Sequence, residues 1–136
     1  MKYKLDFEFD YSFLLFGISC HDSSHRLCWY LNKELDLKLS MEGEHEVPQR
    51  SGKSRHVLYQ HVAEDELQVW SLIANHSTDG PLIPELKQFD YLLKIEEGDH
   101  LNETDISNQI RSLSPVIACF PLDAAGLKHK DNLIFE

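Results

Sequence analysis

Apolar and polar positions along the chain change period several times, and each change marks an element. Residues 2–9 alternate, with Tyr3, Leu5, Phe7 and Phe9 on one side and Lys2, Lys4, Asp6 and Glu8 on the other. That is the pattern of a half-buried strand. Phe13 to Ser19 is a continuous apolar run, which predicts a central strand buried on both faces. Asp22-Ser23-Ser24 is a cluster of N-capping side chains, and Leu27, Cys28, Leu31 and Leu35 come next at helical spacing. A helix is therefore expected from His25 to about Leu35. Leu37, Leu39 and Met41 alternate again and predict a strand that fades into a polar loop over residues 43–54.

Val57 to Val62 and Leu67 to Asn75 are rich in β-formers and are separated by Ala63-Glu64-Asp65-Glu66, so they read as the strongest hairpin in the chain. Period two returns at Phe89. Phe89, Tyr91, Leu93 and Ile95 are assigned to one side, and Asp90, Leu92, Lys94 and Glu96 to the other. Gly98 ends this strand. Asn102 with Asp105 three residues on, and Leu101 placed to staple against Ile106, predicts a second helix near residues 103–113. Ile106, Ile110 and Leu113 are its apolar stripe and Pro115 stops it. Val116 to Phe120 is a short apolar strand, and Leu133-Ile134-Phe135 is apolar enough to dock.

The chain thus reads as one domain over residues 1–136, of α+β class. It has two layers: a mainly antiparallel or mixed sheet with two helices on one face. Phe9-Asp10-Tyr11 before Phe13-Leu14-Leu15 echoes Phe89-Asp90-Tyr91 before Leu92-Leu93. The echo supports two strand–helix–strand units separated by a hairpin.

Composition narrows the possible functions. With 136 residues, 42% of them hydrophobic, the chain can build a real core without staples. A net charge of −10 argues against a general nucleic-acid binder, because phosphate neutralisation needs clustered Lys and Arg. The acid is spread over short clusters, Glu42, Glu44 and Glu46, then Glu64-Asp65-Glu66, then Glu96-Glu97, as expected of solvated turns and strand ends. Three cysteines make a closed disulfide framework unexpected and favour a reduced, cytoplasmic setting. The run ending at Cys20 looks superficially like a leader, but Asp6, Glu8 and Asp10 stand where a basic region belongs. No stretch is long enough to span a membrane as an apolar helix, so no membrane partner is expected. The glycosylation sequons at Asn75 and Asn102 carry no meaning in a cytoplasmic protein.

Two constellations look like chemistry. Ser51-Gly52-Lys53-Ser54 ends like a phosphate-binding loop, but Val47 stands where the first glycine belongs, and the residues after Ser54 read as strand where that motif needs a helix. It is expected to be a mobile basic loop with Arg50 and Arg55. Cys20, His21, His25 and Cys28 form the set closest to a zinc site. Cys20 and His21 are adjacent, however, neither CxxC nor HxxxH is present, and Cys28 lies on the apolar stripe of the helix. No metal and no cofactor are expected. A Cys–His nucleophile pair drawn from the same residues lacks an orienting third group. Large aromatics are in surplus for one modest core. Tyr59 and Trp70, on the two hairpin strands, are expected to mark an interface.

The nine residues Ile83-Pro84-Glu85-Leu86-Lys87-Gln88-Phe89-Asp90-Tyr91 carry the most specific pattern. Gly80-Pro81 and Ile83-Pro84 are turn signals, and Pro84 suits the first position of a helical turn, with Glu85 at its electropositive end. The stretch resembles the signature of the bacterial IPExxxVDY family, with Phe89 standing where the family pattern has Val. That family is known by its motif and not by an activity, so the resemblance implies no reaction. Glu85, Asp90 and Tyr91 either satisfy backbone groups and pack, or converge on a ligand. The expected function is accordingly a non-enzymatic interaction module, self-associating as a homodimer and open to a further protein or small-ligand partner. The competing expectation is a small enzyme using Glu85, Asp90 and Tyr91 as acid/base groups.

Overall fold

The computed structural model describes residues 11–135 except 51, 65, 66 and 99. The strand expected over residues 2–9, and with it the first half of the internal echo, lies outside the described residues. The chain forms β1 (Leu14–Cys20), α1 (Ser24–Leu35), β2 (Ser40–Gln49), β3 (Gly52–Val62), β4 (Val69–Ala74), β5 (Tyr91–Glu96), α2 (Glu103–Arg111) and β6 (Val116–Leu122). The six strands make one sheet in the order β2-β3-β4-β5-β1-β6, and every neighbouring pair is antiparallel.

The helix termini obey the sequence. Ser23 caps α1 by accepting from Arg26 N, and Asn102 caps α2 by accepting from Asp105 N. Asp36 closes α1 in the left-handed conformation, φ 55°. Asn32 then clamps the outgoing chain, accepting from Leu39 N at 2.8 Å and donating to Leu39 O at 3.2 Å.

Alternating directions make β1 parallel to β2 and β5 parallel to β6, so each helix is a crossover between parallel strands. The first crossover passes over three strands, β5, β4 and β3, in one direction; the second passes over β1 in the other. β1 and β5 also point oppositely. Reversing both travel and strand direction preserves the hand of the crossover, so two crossovers of one hand put α1 and α2 on the same face. The two units therefore share a plan but differ in span.

That face holds the larger core. Leu27, Cys28 and Leu31 of α1 and Ile106 and Ile110 of α2 pack on Phe16, Ile18, Tyr59, Trp70, Leu72, Tyr91, Leu93, Ile95 and Cys119. The opposite face is covered too, by irregular chain. Leu15, Val47, Leu58, Ile73 and Leu92 lie beneath Leu82, Ile83, Leu86 and Phe89, with Leu133 from the C-terminal segment. Both faces of β1, β4 and β5 are thus buried, which explains their largely apolar sequences, with Ser71 and Lys94 as buried polar exceptions.

Three expectations need correction. Residues 43–49 and 52–54 are no loop: β2 and β3 form a long hairpin that closes on the pair Gln49–Gly52, with a register shift between Met41 and Gly43. Polar side chains point inward there, but each finds a partner. His45 meets Asn132 O, and Gln49 donates to Ser54 Oγ and Pro81 O. Phe89 does not share a face with Tyr91; it joins the Leu15 and Leu92 side. Tyr59 and Trp70 are buried at 8% and 6% exposure in the helix-side core of this same chain, where the Tyr59 hydroxyl reaches Ser24 Oγ. Buried so, neither can offer itself to a partner while this core is intact.

Candidate functional site

The site begins at the end of β4, where the chain leaves the sheet at Asn75. Asn75 is fully buried and is used by all its polar atoms. Its backbone accepts from Leu82 N and donates to Asp90 O. Its side-chain oxygen accepts from Ile83 N at 2.9 Å, and its amide donates to Leu86 O at 2.9 Å and Phe89 O at 3.0 Å. One side chain therefore sets both ends of the signature loop. Within it, Pro84 opens a short 3-10 turn over Pro84–Leu86, where its missing N–H costs nothing.

Each signature side chain then has a separate task. The Glu85 carboxylate leaves its own turn and grips the C-terminal segment, accepting from His129 N at 2.7 Å and meeting His129 Nδ1 at 2.6 Å. Burial pushes Glu85 up, but the His129 N–H and ring outweigh it and hold the carboxyl below its usual range. Asp90 accepts from Cys20 N at 2.9 Å, while its own N–H donates to Ile18 O, so it splices β5 to the end of β1. The Tyr91 hydroxyl donates to Asp22 O at 2.8 Å, fixing the turn into α1. Burial first, then Cys20, Asp90 and Asp22 nearby, push Tyr91 up to about 12, so it stays a neutral donor. Phe89 lays its ring across Gly17 of β1.

Asp90 and Tyr91 thus meet at the β1–α1 turn, whereas Glu85 is turned to the C-terminal segment. Surface grooves lie elsewhere. One is lined by His25, Arg26, Trp29 and Tyr30, and another by residues 11–14, Glu103 and residues 121–125. Neither takes in Glu85, Asp90 or Tyr91.

The other candidates are dispersed. Cys20 and Cys28 are buried in the helix-side core, while His21 and His25 are exposed. Among the described residues no group of three or more His, Cys, Asp or Glu is placed to hold a metal ion. Burial pushes Cys28 up to about 12 and raises Cys20 as well, which disfavours the thiolate that a metal or a nucleophile requires. Lys53 and Arg55 are strand residues that share Glu46, at 3.2 Å and 3.0 Å, so the expected mobile basic loop is instead an ordered hairpin end.

Sequence reasoning missed the residues that organise this region: Asn75, Gly17, His129, His45 and Lys94. Asn75 had a signal, an amide closing the apolar run Val69–Ala74 just before a turn. The others depend on partners distant in sequence and had none.

Unequal losses are expected when the signature carboxylates are removed. Asp90→Ala leaves the part-buried Cys20 N–H unpaired and should cost about 2 kcal/mol in chemical denaturation. Glu85→Gln breaks an exposed pair and should cost under ~1 kcal/mol. If both variants melt at or above the wild-type temperature, the structural assignment of the signature fails.

Compared with known proteins, the chain matches no family model, and no curated protein is similar to it. Among the described residues no helix is long and apolar enough to cross a membrane.

Proposed function

We propose that the chain is a non-catalytic, cytoplasmic bacterial interaction domain of the IPExxxVDY type, acting as a homodimer. The observation that carries this reading is the use of the signature's polar groups. Glu85, Asp90 and Tyr91 each bind a different piece of the protein's own backbone, which leaves none free as an acid or base. The enzymatic alternative built on those three residues draws correspondingly less support.

Exposed apolar side chains supply the surface. Val62 and Leu67 stand at either end of the β3–β4 connection, but Glu64, Asp65 and Glu66 lie between them in sequence. Two copies meeting there would bring like charges together. β6 suits a second copy better. It carries no charged residue, and it exposes Ile117 at 59% and Phe120 at 51%. Elsewhere the net charge of −10 opposes self-association. The contact would be made by side chains more than by strand pairing. The Cys119 carbonyl is already taken by Arg111 Nη1 at 2.8 Å and Ser107 Oγ at 3.2 Å, and Pro121 has no N–H to give. β2, the other edge, is blunted by Glu42, Glu44, Glu46 and Pro48.

Light scattering across micromolar concentrations should return a dimer mass for the wild type and a monomer mass for Ile117→Ser with Phe120→Ser. A wild-type monomer throughout that range would remove the homodimer. A dimer untouched by the two substitutions would remove β6 as its surface.

A further inference from the structure

The C-terminal segment crosses the sheet face opposite the helices and is held there mainly by ionisable side chains. His129 is bound by Glu85. The next grips fall on consecutive carbonyls: His45 Nε2 donates to Asn132 O at 2.9 Å, and Lys94 Nζ donates to Leu133 O at 2.8 Å. The Tyr11 hydroxyl donates to Asp131, and the Lys130 ammonium lies 5.3 Å over the Tyr11 ring. One tether is uncharged, from Asn132 Nδ2 to Leu82 O at 2.9 Å. Leu133 is fully buried, and the Phe135 ring sits 4.8 Å from both the His45 ring and Lys94 Nζ. Leu133 belongs to the same apolar cluster as Leu15, Val47, Ile73 and Leu92, and Phe135 packs against that cluster.

We propose that residues 129–135 form an acid-opened latch, which leaves the sheet when His45 acquires a charge beside Lys94 and so uncovers the apolar face beneath. Among the described residues, the groups around His45 leave no counter-charge for it. From β3 it faces His56, its Cα partner across the pair, and His76 lies beyond. His56 donates through Nδ1 to Ala74 O, its Nε2 meets Ser54 Oγ at 2.7 Å, and burial first of all holds it below the ordinary imidazole range. From β5 His45 faces Lys94, whose partner is Glu96 at 3.6 Å. From the described part of the latch it faces the Asn132 carbonyl and the Phe135 ring. Glu44 and Glu46 alternate to the other side of β2, and Glu46 is held by Lys53 and Arg55.

These surroundings fix the direction of the pH response. Burial, with Lys94 adding to it and the Asn132 carbonyl opposing it, holds His45 below the ordinary imidazole range. A group whose pKa is depressed in the closed form takes up a proton on opening. The closed latch therefore loses stability as pH falls from about 6.5 towards the folded value. Glu85 is also held low, so its grip on His129 is lost only further down, as pH falls through its own folded pKa. Opening starts at His45 and is completed at Glu85.

Hydrogen exchange of the full chain, read by mass spectrometry as protection factors, tests this between about pH 7.5 and about pH 5. Protection of the 129–135 amides should fall severalfold more than protection of β5. His45→Gln keeps a donor for Asn132 O but cannot become charged, and should lose most of that response. Latch protection that holds constant, or falls only in step with β5 in the wild type, would overturn the latch, and this arm stands whether or not the variant folds. A folded His45→Gln protein with the complete acid response would overturn it as well.

Discussion

Asn75→Ala should be among the most destabilising single substitutions available in this protein. It strands Ile83 N–H and the Phe89 carbonyl in a buried setting, and takes from the Leu86 carbonyl one of its two donors, leaving it Phe89 N–H. With about 1–3 kcal/mol for each buried group left unpaired, and partial relaxation, a total near ~4 kcal/mol is expected. That is a large part of the ~5–15 kcal/mol that holds an ordinary domain folded, and the melting temperature should fall by on the order of 10 °C. Asn75→Asp is the informative companion. It keeps the acceptor for Ile83 N–H but turns a carboxylate towards two carbonyls, so it should be no milder than the alanine variant. Denaturant curves that place Asn75→Ala within ~1 kcal/mol of wild type would show that the loop is organised by something other than this amide.

The pair Gly17 and Phe89 should behave as one unit. A Cβ built on Gly17 would stand 2.6 Å from the Phe89 ring, closer than real Cβ contacts come. The ring is buried, with Phe120 6.2 Å away, and has little room to yield. Gly17→Ala should therefore cost roughly 2 kcal/mol through overpacking. Phe89→Val should cost roughly 2–3 kcal/mol by opening a cavity against β1. In the double variant the new methyl enters space the ring has left, so the combined cost should fall short of the sum by about 1 kcal/mol or more. Simple additivity within ~0.3 kcal/mol would refute the contact as the reason for a glycine in the middle of a buried strand. A bulky residue at 89 is accommodated because position 17 has no side chain.

How far the sequence alone could be read depended on where each residue's partner lies. Both helices were legible because their caps and stripes are local: Ser23 meets Arg26 N, Asn102 meets Asp105 N, and Leu27, Leu31, Ile106 and Ile110 recur at helical spacing. The runs in β1 and β4, and the turn at Pro84, were legible for the same reason. The β2–β3 hairpin was not. Its inward positions include His45, Gln49, Ser54 and His56, which look like loop residues until Asn132, Pro81 and Ala74 supply hydrogen bonds from far along the chain. Tyr59 and Trp70 were misplaced because an aromatic on a strand can face a core or a partner with the same alternation, and only the position of α1 decides which.

Within residues 83–91, the residue types by themselves determined that a proline turn leads into a strand, and left open whether Asp90 and Tyr91 satisfy backbone groups or meet a ligand; the structure decided for backbone. Composition and local periodicity likewise determined the α+β class. Only the tertiary structure decided that Glu85 reaches across to His129, that Phe89 turns away from Tyr91, and that Lys94 and His45 hold the C-terminal segment. The physical reason is range. Capping, turn geometry and periodicity act within a few residues and leave their mark on neighbouring letters. A hydrogen bond or ring contact between residues tens of positions apart is selected by the register of the whole sheet, and no local pattern records it.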